Sequence, residues 1–309
     1  MKSRILKIIL ILISFIIPNS VYALSTSDAN EKIDLTKKAN LTLNYIYDDY
    51  NLDNVNVEIY YVASVSNDFR YELSSAFSEY SIKINGIKTD KEWATLEETL
   101  NAYINTGNIK ETVKTTIKNN KVELSDLDLG LYFVKVENID TEDYSLIFDS
   151  FLISLPDLRE DGYWNYNLEV YPKVEEHIPK YDDINYTIIK EWIDDAETRP
   201  NSIEIEIYKN KELVDTKTLS KDNNWKYEWI TEDDGSIWTV IEKNVPKGYE
   251  VSINNKNNNF IIVNIDPEYT EENPSTFDNI KLYFYLLFGS VIGLILLATS
   301  IILQKKQVK

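Results

Sequence analysis

Any chemistry in this chain has to be done without thiols, because its 309 residues include no cysteine and only one histidine, His177. That rules out cysteine nucleophiles, thiolate metal sites and thioester chemistry, and a single imidazole makes His-based triads and zinc sites improbable. His177 lies in the polar stretch Glu175-Glu176-His177-Ile178-Pro179 and reads as part of a linker. The pairs Asp48-Asp49 and Asp194-Asp195 lack calcium-loop spacing and are expected to solvate turns. Asn40-Leu41-Thr42 and Asn185-Tyr186-Thr187 are glycosylation triplets by pattern alone. No metal and no cofactor is expected, and no nucleophile–base pair of an ordinary enzyme stands out.

The two ends set the compartment. Lys2, Arg4 and Lys7 precede the apolar run Ile8 to Ile17 and then Val21-Tyr22-Ala23, the order of a cleaved secretory signal over 1–23. Leu282 to Leu303 is long and apolar enough to cross a bilayer, and the basic tail 304–309 is expected to stay cytoplasmic. Everything between is then extracellular, where the lack of cysteine means that covalent reinforcement must use something other than disulfides. The formal charge is −19, and since both ends are basic the middle is more acidic still. Such a chain repels phosphate backbones, so no nucleic-acid partner is expected.

The elements in between read as all-β. Ile203, Ile205 and Ile207 alternate with Glu204 and Glu206, one face buried and one wet. Further strands are expected near 214–219, 225–229, 238–242, 249–253 and 260–263, separated by Asp233-Asp234-Gly235 and Pro246-Lys247-Gly248, a spacing that predicts a small sandwich. The earlier part alternates at Val55, Val57 and Ile59 and again at Tyr132, Val134 and Val136. One insertion there is helical: Trp93, Leu96, Leu100, Tyr103 and Ile104 recur at helical spacing, with Thr89 and Glu92 in capping-box register and Gly107 as the stop. The expectation is a helix lying across a sheet, its aromatic stripe in the core. The organisation predicted is two tandem Ig-like, Greek-key sandwich domains at 24–174 and 183–266. A linker at 175–182 joins them, and a tether at 267–280 leads to the span at 281–303.

Five pieces in order carry a resemblance: Ile189-Lys190-Glu191-Trp192; Arg199-Pro200-Asn201-Ser202; Asn223 to Trp229; Trp238 to Glu242 with Val245 to Tyr249; and Phe260 to Asn264. Together they resemble the Cna B-type domain of bacterial collagen adhesins and pilins. The resemblance implies an intramolecular amide bond between a first-strand lysine, Lys190, and a last-strand asparagine, Asn264, assisted by a buried glutamate, Glu242. The physics agrees with that assignment: burial disfavours a charged lysine and frees its lone pair, while a glutamate in the same setting keeps its proton and can pass it on.

Leu127 to Val134, Phe151 to Pro156 and Trp164 to Lys173 look like the N-terminal domain of sortase-assembled pilins, where a lysine placed like Lys173 can accept the next subunit. Here Trp164 is too far from Val170 for that element, Tyr166 fills the aromatic slot, and Val174 stands in place of an asparagine. Val136 stands where a linking glutamate is expected, so no internal amide bond is predicted in this segment. Asn273-Pro274-Ser275-Thr276-Phe277, ahead of the apolar span and basic tail, is similar to a sortase sorting signal with Phe277 in the glycine position. These resemblances imply a non-enzymatic surface stalk, pilus subunit or adhesin of a Gram-positive bacterium. It would be anchored to the cell wall or membrane, with sortase and peptidoglycan or other pilus subunits as partners. The alternative is a membrane-retained receptor whose first domain binds a host or matrix molecule.

Overall fold

The computed structural model describes residues 29–269 apart from 48–49, 142–143, 179–182 and 196–198. The expected leader, the motif at 273–277, the apolar span, the basic tail and the Asp48-Asp49 pair lie outside the described residues. Among the described residues no helix is long and apolar enough to cross a membrane.

The chain opens with β1 (Ala39–Asn44), β2 (Asn56–Val65) and β3 (Tyr71–Leu73), followed by the helix α1 (Asp90–Ile104). Next come β4 (Val113–Thr116), β5 (Lys121–Leu127), β6 (Gly130–Val136), β7 (Ile139–Asp140), β8 (Ser145–Phe148) and β9 (Phe151–Leu155). The first segment finishes with β10 (Asp157–Leu158), β11 (Trp164–Asn165), β12 (Asn167–Val170) and β13 (Val174–His177). The second segment contains β14 (Asp183–Ile193), β15 (Ser202–Lys209), β16 (Glu212–Ser220), β17 (Lys226–Glu232), β18 (Trp238–Glu242), β19 (Glu250–Lys256) and β20 (Asn259–Ile265). The all-β reading holds, with α1 as the inserted helix.

In the first segment the sheet β3-β2-β6-β9, with β4 also on β2, is the main layer, and β12-β1-β5 forms a second. The strand β6 (GLYFVKV) is buried along nearly its whole length because it lies between β2 and β9. Its first residue, Gly130, has no room for a side chain: a Cβ there would lie 2.1 Å from the Ala63 carbonyl oxygen. The expected linker begins differently. Glu175, Glu176 and His177 are not free chain but pair with Ile147, Leu146 and Ser145 of β8, their side chains staying in water.

The second segment is a two-layer sandwich, β17-β14-β20-β19 against β16-β15-β18. Alternation assigns the faces: Tyr186, Ile188 and Lys190 of β14, Phe260, Ile262 and Asn264 of β20, and Val240 and Glu242 of β18 are all buried. The strand expected from Trp225 starts one residue later. Asn224 and Trp225 both have positive φ (55° and 57°), so the chain turns there before it can extend.

The helix α1 forms as its sequence directs, with Thr89 and Glu92 closing a capping box and Gly107 beyond its end at φ +77°. Its buried stripe packs along β19 and against β18, so the sheet it lies across belongs to the second segment. The two segments thus sit in one compact unit ending at Pro267.

Candidate functional site

Three strands bring Lys190, Glu242 and Asn264 together. β14 and β20 run parallel with Lys190 opposite Ile262 and Trp192 opposite Asn264, so Lys190 and Asn264 lie two residues apart on neighbouring strands and face the same layer. From the other sheet, β18 pairs with β15 at Glu242 and Ile205, whose side chains are both buried. Lys190, Glu242 and Asn264 are 4%, 2% and 0% exposed, among the few polar side chains in this core.

The Glu242 carboxyl is the hub. Asn264 Nδ2 donates to its Oε1 at 3.1 Å, and Lys190 Nζ lies 3.7 Å from Oε2. Lys190 Nζ also donates to the carbonyls of Glu191 (2.9 Å) and Ile262 (3.3 Å). Two donated bonds use both hydrogens of a neutral amine and leave its lone pair unengaged. Burial pushes the Lys190 ammonium down to about 7 even against the attraction of Glu242, and it pushes Glu242 up. Glu242 Oε2 and Asn264 Oδ1 are buried without a hydrogen-bond partner. A proton on Glu242 would turn one of these buried acceptors into a donor.

Around the centre is a shell of aromatic and charged side chains, of which Asp194 was not expected from the sequence. The Trp192 ring lies 4.2 Å from Lys190 Nζ and packs edge-on against Trp225 and Tyr249. Asp194, expected to solvate a turn, is instead buried: it accepts from Arg199 Nε (2.6 Å) and Tyr249 Oη (2.8 Å). Arg199 in turn lies 5.9 Å from the Trp192 ring centroid. The signal was present in the sequence, since Asp194 and Arg199 flank a short loop, but only the fold brings Tyr249 to them.

Lys173 lies outside this cluster. It is exposed between β12 and β13 and pairs with Glu175 and, at 3.8 Å, with Asp149. A second lysine–asparagine contact does occur in the first segment, where Lys135 Nζ donates to Asn105 Oδ1. Burial holds Lys135 down at about 8, but the acid is wrong. Glu58, opposite Lys135 in the ladder, would be raised by burial, yet hydrogen bonds from Lys114 and Tyr60 and the charge of Lys211 hold it below the ordinary glutamate range. It keeps no proton to lend. Among the described residues no cluster of ligating side chains fits a metal ion.

Comparison with known proteins bears on the second segment. Residues 186–265 match the family model of the Cna protein B-type domain. No curated protein matches the chain. Among solved structures, a single B repeat unit of the collagen-binding surface protein of Staphylococcus aureus is 16% identical, with 74% of this chain and 99% of that one covered at a TM-score of 0.26. The major pilin SpaD of Corynebacterium diphtheriae is 16% identical (75% and 66% covered, TM-score 0.28). A double mutant of the shaft pilin SpaA of Lactobacillus rhamnosus GG is 15% identical (76% and 100% covered, TM-score 0.25). TM-scores this low leave the assignment to the family match alone. The segment that holds the buried lysine, glutamate and asparagine is similar, over residues 186–265, to the Cna protein B-type domain.

Proposed function

We propose that this protein is a non-enzymatic cell-surface stalk or pilus subunit whose second segment locks itself with an amide bond between Lys190 and Asn264. The observation that supports this most directly is the buried, neutral-leaning Lys190 amine, with both N–H groups on carbonyls, sharing a carboxyl with Asn264. In the reaction the Nζ lone pair attacks Cγ of Asn264. Glu242 first donates its proton to Oδ1, which requires the carboxamide turned so that Oδ1 faces the carboxyl, and then moves a proton from Nζ to Nδ2. The Cγ–Nδ2 bond breaks, ammonia leaves, and the proton on Oδ1 returns to Glu242 as the carbonyl re-forms. One amide replaces another, with no oxidant and no cofactor.

The product joins neighbouring strands, the first and last of the sandwich, and cannot be reduced. A chain without cysteine gains in this way the reinforcement that extracellular proteins otherwise draw from disulfides. Surface display by sortase through 273–277, with Lys173 as an acceptor for a further subunit, belongs to the same reading. It is supported by the order of those sequence features and by the exposure of Lys173. Intact mass of the chain from residue 24 to 267, together with peptide mapping, tests the bond. A mass short by one ammonia with a branched peptide joining Lys190 and Asn264 is expected; the full calculated mass refutes it. Covalent multimers that form with a sortase and vanish on Lys173→Ala test the display reading.

A further inference from the structure

The sandwich of the second segment has an open flank. β19 is the edge of one sheet and β18 the edge of the other, and the acid of the centre, Glu242, is on β18 itself. Asn264 is one strand in from β19, directly opposite Val251. A sandwich edge of this kind leaves a row of unpaired backbone groups and a route for water between the layers.

In this protein the first segment closes that flank. The outward amides of β19 alternate along the strand, and each of three finds a partner across the boundary. Val251 N–H donates to the Ser81 carbonyl (2.7 Å), Ile253 N–H to Thr99 Oγ1 (2.8 Å) and Asn255 N–H to Glu98 Oε2 (2.5 Å). Ile82 forms a parallel bridge with Val251. One helical turn beyond Thr99, Tyr103 is 2% exposed and carries Tyr80 against its ring at a centroid distance of 4.3 Å. Burial holds the Tyr103 phenol well above its ordinary range, and its helix packs against β18, the strand that carries Glu242.

We propose that α1 is part of the cross-linking centre. By sealing the flank between β18 and β19, with Tyr103 as a positioning residue, it keeps Glu242 out of water, so that the Lys190–Asn264 bond forms efficiently only when the first segment is docked. The inference rests on the cross-linking reading above. Its consequence is an order of events: the covalent lock closes after the two segments have assembled, and so records correct assembly. General acid–base groups lose effect when hydrated, because water restores the ordinary pKa and competes for the transferred proton.

The test refolds the chain from residue 24 to 267, isolated unfolded and therefore unlinked, and tracks the loss of ammonia by intact mass over time. Hydrogen exchange at Val251, Ile253 and Asn255 is read in parallel to report docking. For Tyr103→Ala the expected result is linking slowed roughly tenfold or more with those amides still protected, and Tyr103→Phe, which keeps the ring, restores the rate. Linking of Tyr103→Ala at the wild-type rate overturns the inference and leaves the cross-link standing. No ammonia loss in the wild type removes both. Should Tyr103→Ala not refold, the double variant Glu98→Ala/Thr99→Ala loosens α1 without entering the centre. Slow linking is then expected, and a wild-type rate with freely exchanging β19 amides overturns the inference.

Discussion

Glu242→Gln isolates the chemistry from the packing. Glutamine keeps the shape of the side chain and can still hydrogen-bond Asn264, whose Nδ2 now meets Oε1 at 3.1 Å, but it has no proton to transfer. Burial already disfavours the Lys190 charge, and losing the attraction of Glu242 disfavours it further, so the variant is expected to bury a neutral amine. The variant is expected to fold and to keep its ammonia. The magnitude comes from the loop that is no longer closed: roughly 75 residues from Lys190 to Asn264, worth about 4.5 kcal/mol in chain entropy. For a unit of this size each kcal/mol moves the midpoint by about 2–4 °C, so the thermal midpoint should fall by about 10–20 °C. Intact mass and thermal unfolding by circular dichroism, on wild type and variant in parallel, give both numbers. Ammonia loss in Glu242→Gln would refute the assigned role of the carboxyl. A mass difference without a midpoint shift would refute the entropic account of what the bond is for.

The same structure sets three further outcomes. Lys135→Ala should leave the mass deficit at one ammonia, since the Lys135–Asn105 contact has an ionised Glu58 beside it; a wild-type deficit of two would show that this reasoning about the acid is wrong. Burial raises Glu97 on α1 from 4.5 to about 7, so the folded state holds a proton that the unfolded chain has already released. Stability should therefore fall as pH climbs from 4.5 to about 7. Glu97→Gln should flatten that slope and be more stable than wild type above pH 7 by up to about 3 kcal/mol, as measured by urea unfolding at pH 5 and 8; parallel pH profiles would contradict it. Gly130→Ala should cost about 3 kcal/mol, because its Cβ would meet a backbone oxygen that cannot swing aside; a midpoint within 2 °C of wild type would mean that the backbone yields there.

Much of this was legible in the residues because it is local or periodic. The capping box at Thr89 and Glu92, the stop at Gly107, the alternation in 203–207 and the strand near 260–263 each act within one element, and the structure agrees with them closely. Order along the chain was enough to nominate Lys190, Glu242 and Asn264, since their flanking motifs are short and specific. What could not be read is what depends on two elements meeting. Thr99, on a helix, is fully buried, its hydroxyl accepting the Ile253 amide on the side of β19 that has no neighbouring strand. Asp194 looked like a solvated turn residue, yet Tyr249, brought from a distant part of the chain, and its sequence neighbour Arg199 pair with it in the core. By itself the sequence determined the strands and the helix, because periodicity and caps are set by neighbours in the chain, and its resemblance to the Cna B-type domain nominated Lys190, Glu242 and Asn264. Only the tertiary structure decided that α1 covers the second segment instead of its own sheet, because an edge strand's unpaired amides take whichever acceptor the fold brings within reach, and no local pattern encodes that choice.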